Sequence, residues 1–560
     1  MKKRLLAITL TIAIMAGPMT ACSGGSSANT QTNSAASDSK NQAPVSKTVD
    51  GKVDGQTYPI SKNKITLSLW YPMAGSIGEL SNFNDSEFFQ WYEKKTNIHI
   101  NFIVPAVGTE KDAFKLLLAS DNMPDMIYCQ PNDQSYPTGE DKALDDGVFV
   151  DMTKYLDKAP NYVSWLDNHP DFKRGAYSDS GKMYGMWGVW KTMGENYLSD
   201  NGIAIRKDFL DKVGKKVPTT YDEWYDVLCA FRDKLHVKAP LYTTKYGIDT
   251  TGEFMAGFDT APYFYQRNGK ACFGPMDDQY KAYLTMLNKW WKEGLLDKDF
   301  ATRKTQDVAP DKDMVLNDNI GSCIDWGTRL SNAYVTRGAT NKSFVFVGAP
   351  QPKKSGANAV DPAYRVFSSG NDRMQGYCTL FNSNSKNLEQ AIRWTDGFYA
   401  EDVYLNASYG LESEKNTTWK EASDGHRIGI YDFRYKNPNG LDSATVAVKY
   451  WAKNPPVRVE AAQFEQSDNI IQSGYKTWAT YQPKNWISTR ITLSSDEGTQ
   501  FASAYTDILT YVQENNAKFI MGQIPLSNYD NYRATLKKMG IENCISIKQA
   551  ALDRYNKRGK

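Results

Sequence analysis

Tryptophans and tyrosines stand at the ends of several short apolar runs in this chain. Flat amphipathic rings in such places hold ligands by stacking rather than by covalent chemistry. Ile65-Thr-Leu-Ser-Leu69 alternates apolar and polar residues, as a half-buried strand does, and ends at Trp70-Tyr71-Pro72. A second short strand, Asp125 to Tyr128, delivers Tyr128 and, just beyond it, Gln130. In open α/β sheets ligands lie beyond the carboxyl ends of strands, which makes Trp70, Tyr71, Tyr128 and Gln130 candidate contacts. Asn319-Ile-Gly-Ser-Cys-Ile-Asp-Trp-Gly327 is a further short strand ending at Asp325 and Trp326. Asp325 and Arg329 flank that tryptophan and can hydrogen-bond hydroxyl groups, or pair with each other as a local salt bridge. Trp478, Tyr481 and Trp486 fall in a loop-like run, SGYKTWATYQPKNW, where they are either ligand contacts or plugs on a lobe surface.

Covalent and metal chemistry has no comparable signature. The sequence holds no GxSxG elbow, Walker loop, HExxH or CxxC pair. Its four histidines are widely separated, and no acidic cluster has the glycine and glutamate spacing of an EF-hand loop. No metal and no cofactor are expected. A net charge of +2 from 66 basic and 64 acidic residues argues against a nucleic-acid partner. Aromatic content is 13%, with 34 Tyr and 14 Trp, and sugar faces stack on such rings. Apart from Cys22, six cysteines remain without paired spacing, and free buried thiols are the plainer reading beside disulfides.

The elements that position these residues alternate. Helices at Phe88–Lys95 and Asp112–Ser120 separate strands at Ile65–Leu69, Ile98–Val104 and Asp125–Tyr128, an order that implies a parallel sheet covered by helices. Further on, Asp208 to Val213 reads as a short helix closed by Gly214. Thr220 and Glu223 have the spacing of a capping box, and Trp224, Val227, Leu228, Phe231 and Leu235 share one face of the helix that follows. Trp290 and Trp291 keep helical spacing and read as core.

The amino terminus has its own signature. Lys2, Lys3 and Arg4 precede an apolar run from Leu5 to Ala16 that is short for a membrane span. Met19-Thr-Ala-Cys22 resembles a lipobox, which implies cleavage before Cys22 and a lipid on its sulfur. Residues from Ser23 to about Lys62 are rich in Ser, Asn, Gln, Thr and Gly and read as a flexible tether.

The segment IRKDFLDKVGKKVPTTYDEWYDVLCAF resembles the one after the first inter-lobe crossing in the maltose-binding-protein-like family 1 extracellular solute-binding proteins, the sugar-capturing subunits of ABC importers. SDSGKMYGMWG, at Ser178–Gly188, is similar to the family's hairpin before that crossing, with Ser180 interrupting its Asp-Gly pair. The resemblance, strongest in order of motifs over Ile65–Asn382, implies a two-lobed α/β fold of the periplasmic-binding-protein type II class, with a hinge and a sugar cleft. Lobe 1 would take residues 63–190 and about 373–440, and lobe 2 residues 191–372 and about 441–560. Trp187 or Trp190 would face the cleft, the alternative being that both pack against the hinge. Tyr263 or Phe264, after Pro262, would form an aromatic platform in the second lobe, and Trp326 would be a cleft tryptophan. The implied function is capture of an oligosaccharide for import, without catalysis. The implied partners are ABC permease subunits and, through Cys22, the extracellular face of the cell membrane, with the protein a monomer. A secreted carbohydrate-active enzyme and a ligand-sensing protein for a signalling receptor are the alternatives.

Overall fold

The computed structural model of the chain describes residues 55–558, apart from 74, 76, 121, 132–135, 137–138, 192–200, 253, 304–309, 311, 327–342, 356–373, 412–418, 422–426, 430–442, 460–468 and 479–486. One sheet contains β1 (Ile65–Trp70), β2 (Ile98–Ile103), β3 (Met126–Cys129), β4 (Met186–Lys191), β11 (Met374–Phe381) and β14 (Val457–Val459), in the order β14-β4-β11-β3-β1-β2. β1 runs parallel to β2 and β3, as the alternating strand and helix order requires, with Leu69 opposite both Phe102 and Met126. β11 is antiparallel to β3 and β4, and β14 pairs parallel with β4. The second sheet contains β5 (Asn201–Arg206), β6 (Ala239–Leu241), β9 (Ile320–Trp326) and β10 (Phe346–Gly348), in the order β10-β5-β9-β6. Two hairpins, β7 (Phe264–Arg267) with β8 (Lys270–Phe273) and β12 (Trp419–Glu421) with β13 (Arg427–Gly429), complete the described strands.

Each sheet carries its own apolar core, and this separation makes two lobes. Leu67, Phe88, Tyr92, Ile98 and Leu380 belong to the first core, whereas Ile203, Trp224, Phe231, Leu284 and Ile508 belong to the second. The helix Tyr221–Leu235 shows why the second forms. Thr220 accepts from the Glu223 backbone N–H and Glu223 reaches back to the cap, while Trp224, Val227, Leu228 and Phe231 are buried on one face. The preceding helix, Lys207–Val213, ends at Gly214 with φ of 69°, a conformation that favours glycine. Trp290 is buried on the helix Asp278–Lys292, and Trp291 is half-buried. Among the described cysteines, all six are free.

Two segments lie elsewhere than the sequence suggests. Residues 443–459 were expected in lobe 2, but Val448, Ala452, Val457 and Val459 sit in the first core and β14 extends the first sheet. Trp478 was expected on a loop and instead ends the helix Asn469–Trp478. Its indole N–H donates to the Ile203 carbonyl at 2.9 Å. The ring lies over β5 and β10, where Gly202 and Gly348 leave room that a side chain would fill: a Cβ on Gly202 would stand 2.5 Å from the indole.

After this helix the chain braces the two lobes together. Helices Ser495–Ile520, Tyr529–Lys538 and Ile541–Tyr555 contribute Val512, Leu536 and Ile541 to the second core. On the way, Arg490 reaches the first lobe. Its guanidinium makes two bonds to Glu140 (2.7 and 2.8 Å), donates to the Gly175 carbonyl at 3.0 Å and lies 3.5 Å from the centroid of the Trp187 ring. At the end of the last helix, Arg554 and Arg558 both hold Asp179 of the hairpin before β4, at 2.9 and 2.6 Å.

Residues from Gly55 to Lys62, expected in the tether, are held by the first lobe, with Ile60 buried in its core. The Asp396 carboxylate accepts from Gln56 Nε2 (2.8 Å), Asn161 Nδ2 (2.9 Å) and the backbone N–H groups of Asn161 (3.3 Å) and Tyr162 (2.8 Å). The last two belong to the first turn of the helix Pro160–Asn168, whose dipole favours an anion. Burial nevertheless pushes this carboxyl up to about 7. A carboxyl raised in the folded state binds its proton more tightly there than in the unfolded chain. Its contribution to stability is therefore full below about pH 4 and is lost as pH rises through about 7. Thermal midpoints of the wild type should fall across that window, and those of Asp396→Asn should fall less. Equal slopes would contradict the assignment.

Candidate ligand-binding site

Strand directions collect one set of side chains at one edge of the first sheet. β1, β3, β4 and β14 all point their carboxyl ends there, and antiparallel β11 brings its amino end to the same place. Tyr71, Tyr128, Gln130, Trp190 and Lys191 arrive from the parallel strands, Tyr377 from β11 and Arg458 from β14. Adjacent residues alternate between faces, so Trp70 and Tyr71 go opposite ways. Trp70 packs against Phe114 at 5.8 Å and is 2% exposed. Trp187, three residues before Trp190, is likewise buried, beneath the Arg490 guanidinium.

On the other face Tyr71, Tyr128 and Tyr377 form a row. Tyr71 lies 5.5 Å from Tyr128, and Tyr128 stacks on Tyr377 at 4.9 Å with 3° between the ring planes. Tyr71 donates its hydroxyl hydrogen to the Lys453 carbonyl, and Tyr128 donates to the Asn454 carbonyl at 2.6 Å. Burial pushes both phenols up, so they stay protonated and those bonds persist at any physiological pH. Tyr71 and Tyr128 are buried; Tyr377, Trp190, Gln130, Lys191, Asn454 and Arg458 are half-buried and form the accessible layer. Beneath the tyrosines is a small apolar cavity lined also by Leu69, Phe398, Ala452 and Pro456. It has room for about one water molecule and is no site for a sugar.

In the second lobe β9 ends at Trp326, which pairs in register with Asn201, the first residue of β5 after the chain crosses from β4. Asp325 pairs with Gly202. Tyr263 is half-buried, its hydroxyl 3.4 Å from Thr250 Oγ1 and accepting from Gln513 Nε2 at 3.2 Å. Phe264 is half-buried among Phe273, Phe501 and Tyr505, with centroids at 5.0, 5.7 and 5.3 Å. Arg329, Trp486 and Cys22 lie outside the described residues. The sequence reading missed Tyr377 and Arg458. Tyr377 lies in the amino-terminal half of its strand, where the carboxyl-end rule does not look. Arg458 lies in a stretch with no recognisable local pattern. Among the described residues no group of His, Cys, Asp and Glu is arranged to hold a metal ion, and no helix is long and apolar enough to cross a membrane.

Two α/β lobes, each with its own sheet and core, are the architecture of two-domain solute-binding proteins. No protein-family model matches the chain. It is 23% identical to a fructooligosaccharide ABC transporter substrate-binding protein of Streptococcus pneumoniae, over 93% of this chain and 95% of that one. It is 25% identical to a polygalacturonan/rhamnogalacturonan-binding protein of Bacillus subtilis, over 57% of this chain and 61% of the other. Among solved structures, an HMO-binding, ABC-transporter-associated solute-binding protein of Bifidobacterium longum infantis superposes with a TM-score of 0.68 at 19% identity, covering 89% of this chain and 100% of that one. The chain is a homologue of the substrate-binding proteins of ABC transporters and has the fold of the family 1 extracellular solute-binding proteins.

Proposed function

We propose that this chain is the lipid-anchored substrate-binding protein of an ABC importer and captures an oligosaccharide between its lobes. The observation that carries the proposal is the set of rings at the edge of the first sheet, where half-buried Tyr377 stacks on buried Tyr128 next to Tyr71, and half-buried Trp190 lies against Arg458. Rings held by a second layer of rings lose little conformational freedom when a sugar face stacks on them. The full-length similarity to a fructooligosaccharide-binding relative supports the ligand class. Trp326, at the end of β9, and Tyr263 or Phe264 would supply the facing contacts of lobe 2, with Asp325, Arg329 and Trp486 as further contacts. Sugar enters the open cleft, its hydroxyls bond to Gln130 and Asn454, and rotation at the crossings buries it. The closed form then presents the ligand to the transmembrane permease subunits. No bond in the sugar is made or broken. Cys22 carries the lipid that keeps the protein at the outer face of the membrane, and Cys22→Ala should release it into the medium.

Thermal unfolding of the full chain in mild detergent, against a panel of oligosaccharides, monosaccharides and peptides, tests the reading. A ligand at about 100 times its Kd stabilises the folded state by about 2.7 kcal/mol. The expected result is a raised midpoint with one or a few oligosaccharides and no product on prolonged incubation. Stabilisation by peptides alone, or hydrolysis of the sugar, would overturn it.

A further inference from the structure

The second sheet also gathers carboxyl ends at one edge. β6 runs parallel to β9, with Leu241 opposite Ser322, so both strands end on the same side. β9 ends there at Trp326, whose partner Asn201 opens β5. Residues 192–200 join Asn201 to Lys191, the last residue of β4, and a chain of that length spans at most about 35 Å. The ligand edge of the first sheet and this edge of the second therefore flank one crossing. Tyr242 to Tyr246, which leave β6 at its carboxyl end, stand on the side of lobe 2 where α/β sheets take their ligands.

Backbone strain is concentrated just beyond that point. One turn of π-helix, Gly247–Thr251, comes first, and Phe254 and Asp259 then take φ of 62° and 56°. A left-handed conformation is uncommon at residues with a side chain and an outlier at one as bulky as phenylalanine. Strain of this kind persists only where the surroundings hold it, and it gathers at ligand clamps and other functional sites, as single π turns do. The surroundings here are firm. The Phe254 ring is buried edge-on against Trp224 at 4.9 Å, and its carbonyl accepts from the Tyr221 hydroxyl at 2.7 Å. The buried Asp249 carboxylate accepts from Asn516 Nδ2 at 2.8 Å and from Lys245 Nζ at 2.5 Å.

Lys245 and Tyr246 sit at the head of this held turn, and both are half-buried. The Tyr246 ring packs against the second core, which fixes it from one side and limits the freedom it loses to a ligand on the other. The bond to Asp249 uses one of the three N–H donors of Lys245 and already supplies its counter-charge. Such an ammonium can donate to a neutral hydroxyl without stranding a buried charge. We propose that Lys245 and Tyr246 are ligand contacts of lobe 2, with the Tyr246 ring stacked on a sugar face and Lys245 donating to that sugar's hydroxyls. This rests on the oligosaccharide-binding reading above and gives it a specificity-determining pair in the second lobe.

The test is calorimetric titration of the full chain in mild detergent with trisaccharides of fructose, glucose, xylose, mannose and galacturonate. At least one should bind the wild type. Tyr246→Leu keeps an apolar side chain against the core but removes the stacking face, and should weaken that sugar by about tenfold or more. Tyr246→Phe keeps the ring and should weaken it by less than about threefold. A second readout would not respond to a purely structural role. Saturating sugar should protect Lys245 from acetylation by an N-hydroxysuccinimide ester, followed by mass spectrometry, and leave exposed Lys111 of the first lobe unprotected. Should Tyr246→Leu lose its fold, this protection decides. Wild-type affinity in Tyr246→Leu, or acetylation of Lys245 as fast with sugar as without, overturns the inference and leaves the oligosaccharide reading standing. If none of the trisaccharides binds the wild type, both fall.

Discussion

Arg490→Ala should lower the free energy of unfolding by about 3–5 kcal/mol, the cost of removing one partner from a buried ion pair. Arg490 is 7% exposed, and every part of its guanidinium is engaged, with two bonds to Glu140, one to the Gly175 carbonyl and a face against Trp187. Truncation leaves a carboxylate whose side chain is only 15% exposed without its counter-charge, a carbonyl without its donor and an indole without its cover. The same change severs a link between the segment that enters the second lobe and the body of the first. Urea denaturation should therefore show an earlier midpoint, and a cycle with Glu140→Gln should show strong coupling, because either single change strands the other group. A loss below about 1 kcal/mol, the usual value of an exposed pair, would mean that solvent reaches this arginine.

Trp478→Ala should cost a similar amount, about 3–5 kcal/mol, as large-to-small changes at buried aromatic positions do. The ring is 6% exposed, hydrogen-bonds the Ile203 carbonyl at 2.9 Å and fills the space above two glycines. Gly202→Ala tests the contact from the other side, since its Cβ would meet the indole at 2.5 Å. Overpacking of that kind costs about 1–3 kcal/mol. Both variants should destabilise the second lobe, as measured by chemical denaturation. A ligand affinity that falls while stability holds would instead give Trp478 a place in the cleft.

What the sequence revealed depended on whether the signal was local. The capping box at Thr220, the glycine stop at Gly214 and the parallel β1–β3 unit come from spacing within a few residues of chain, and the structure repeats them. Trp478 was hidden because its helix is short and carries Gly474. That glycine packs closely on Gly348, where an added Cβ would stand 2.5 Å from the Gly474 Cα. Residues 443–459 were hidden because β14 is three residues long and finds its partner, β4, across the whole second lobe. The site was half legible for a related reason. Looking beyond the carboxyl ends of strands finds Tyr71, Tyr128 and Gln130, but an antiparallel strand inserted in the sheet offers its amino end, and that is how Tyr377 reaches the edge. Burial separates neighbours that sequence treats alike: Trp70 and Trp187 belong to the core, whereas Trp190 stays accessible.

The most direct test of oligosaccharide capture at this edge is titration calorimetry of the stabilising sugar against the wild type and Trp190→Ala. One sugar per chain should bind to the wild type. Loss of a stacking face should weaken binding by about tenfold or more, with the unfolding midpoint little changed because the ring is only half-buried. Unaltered affinity in Trp190→Ala, with its fold intact, would place the ligand away from this edge and contradict the proposed site.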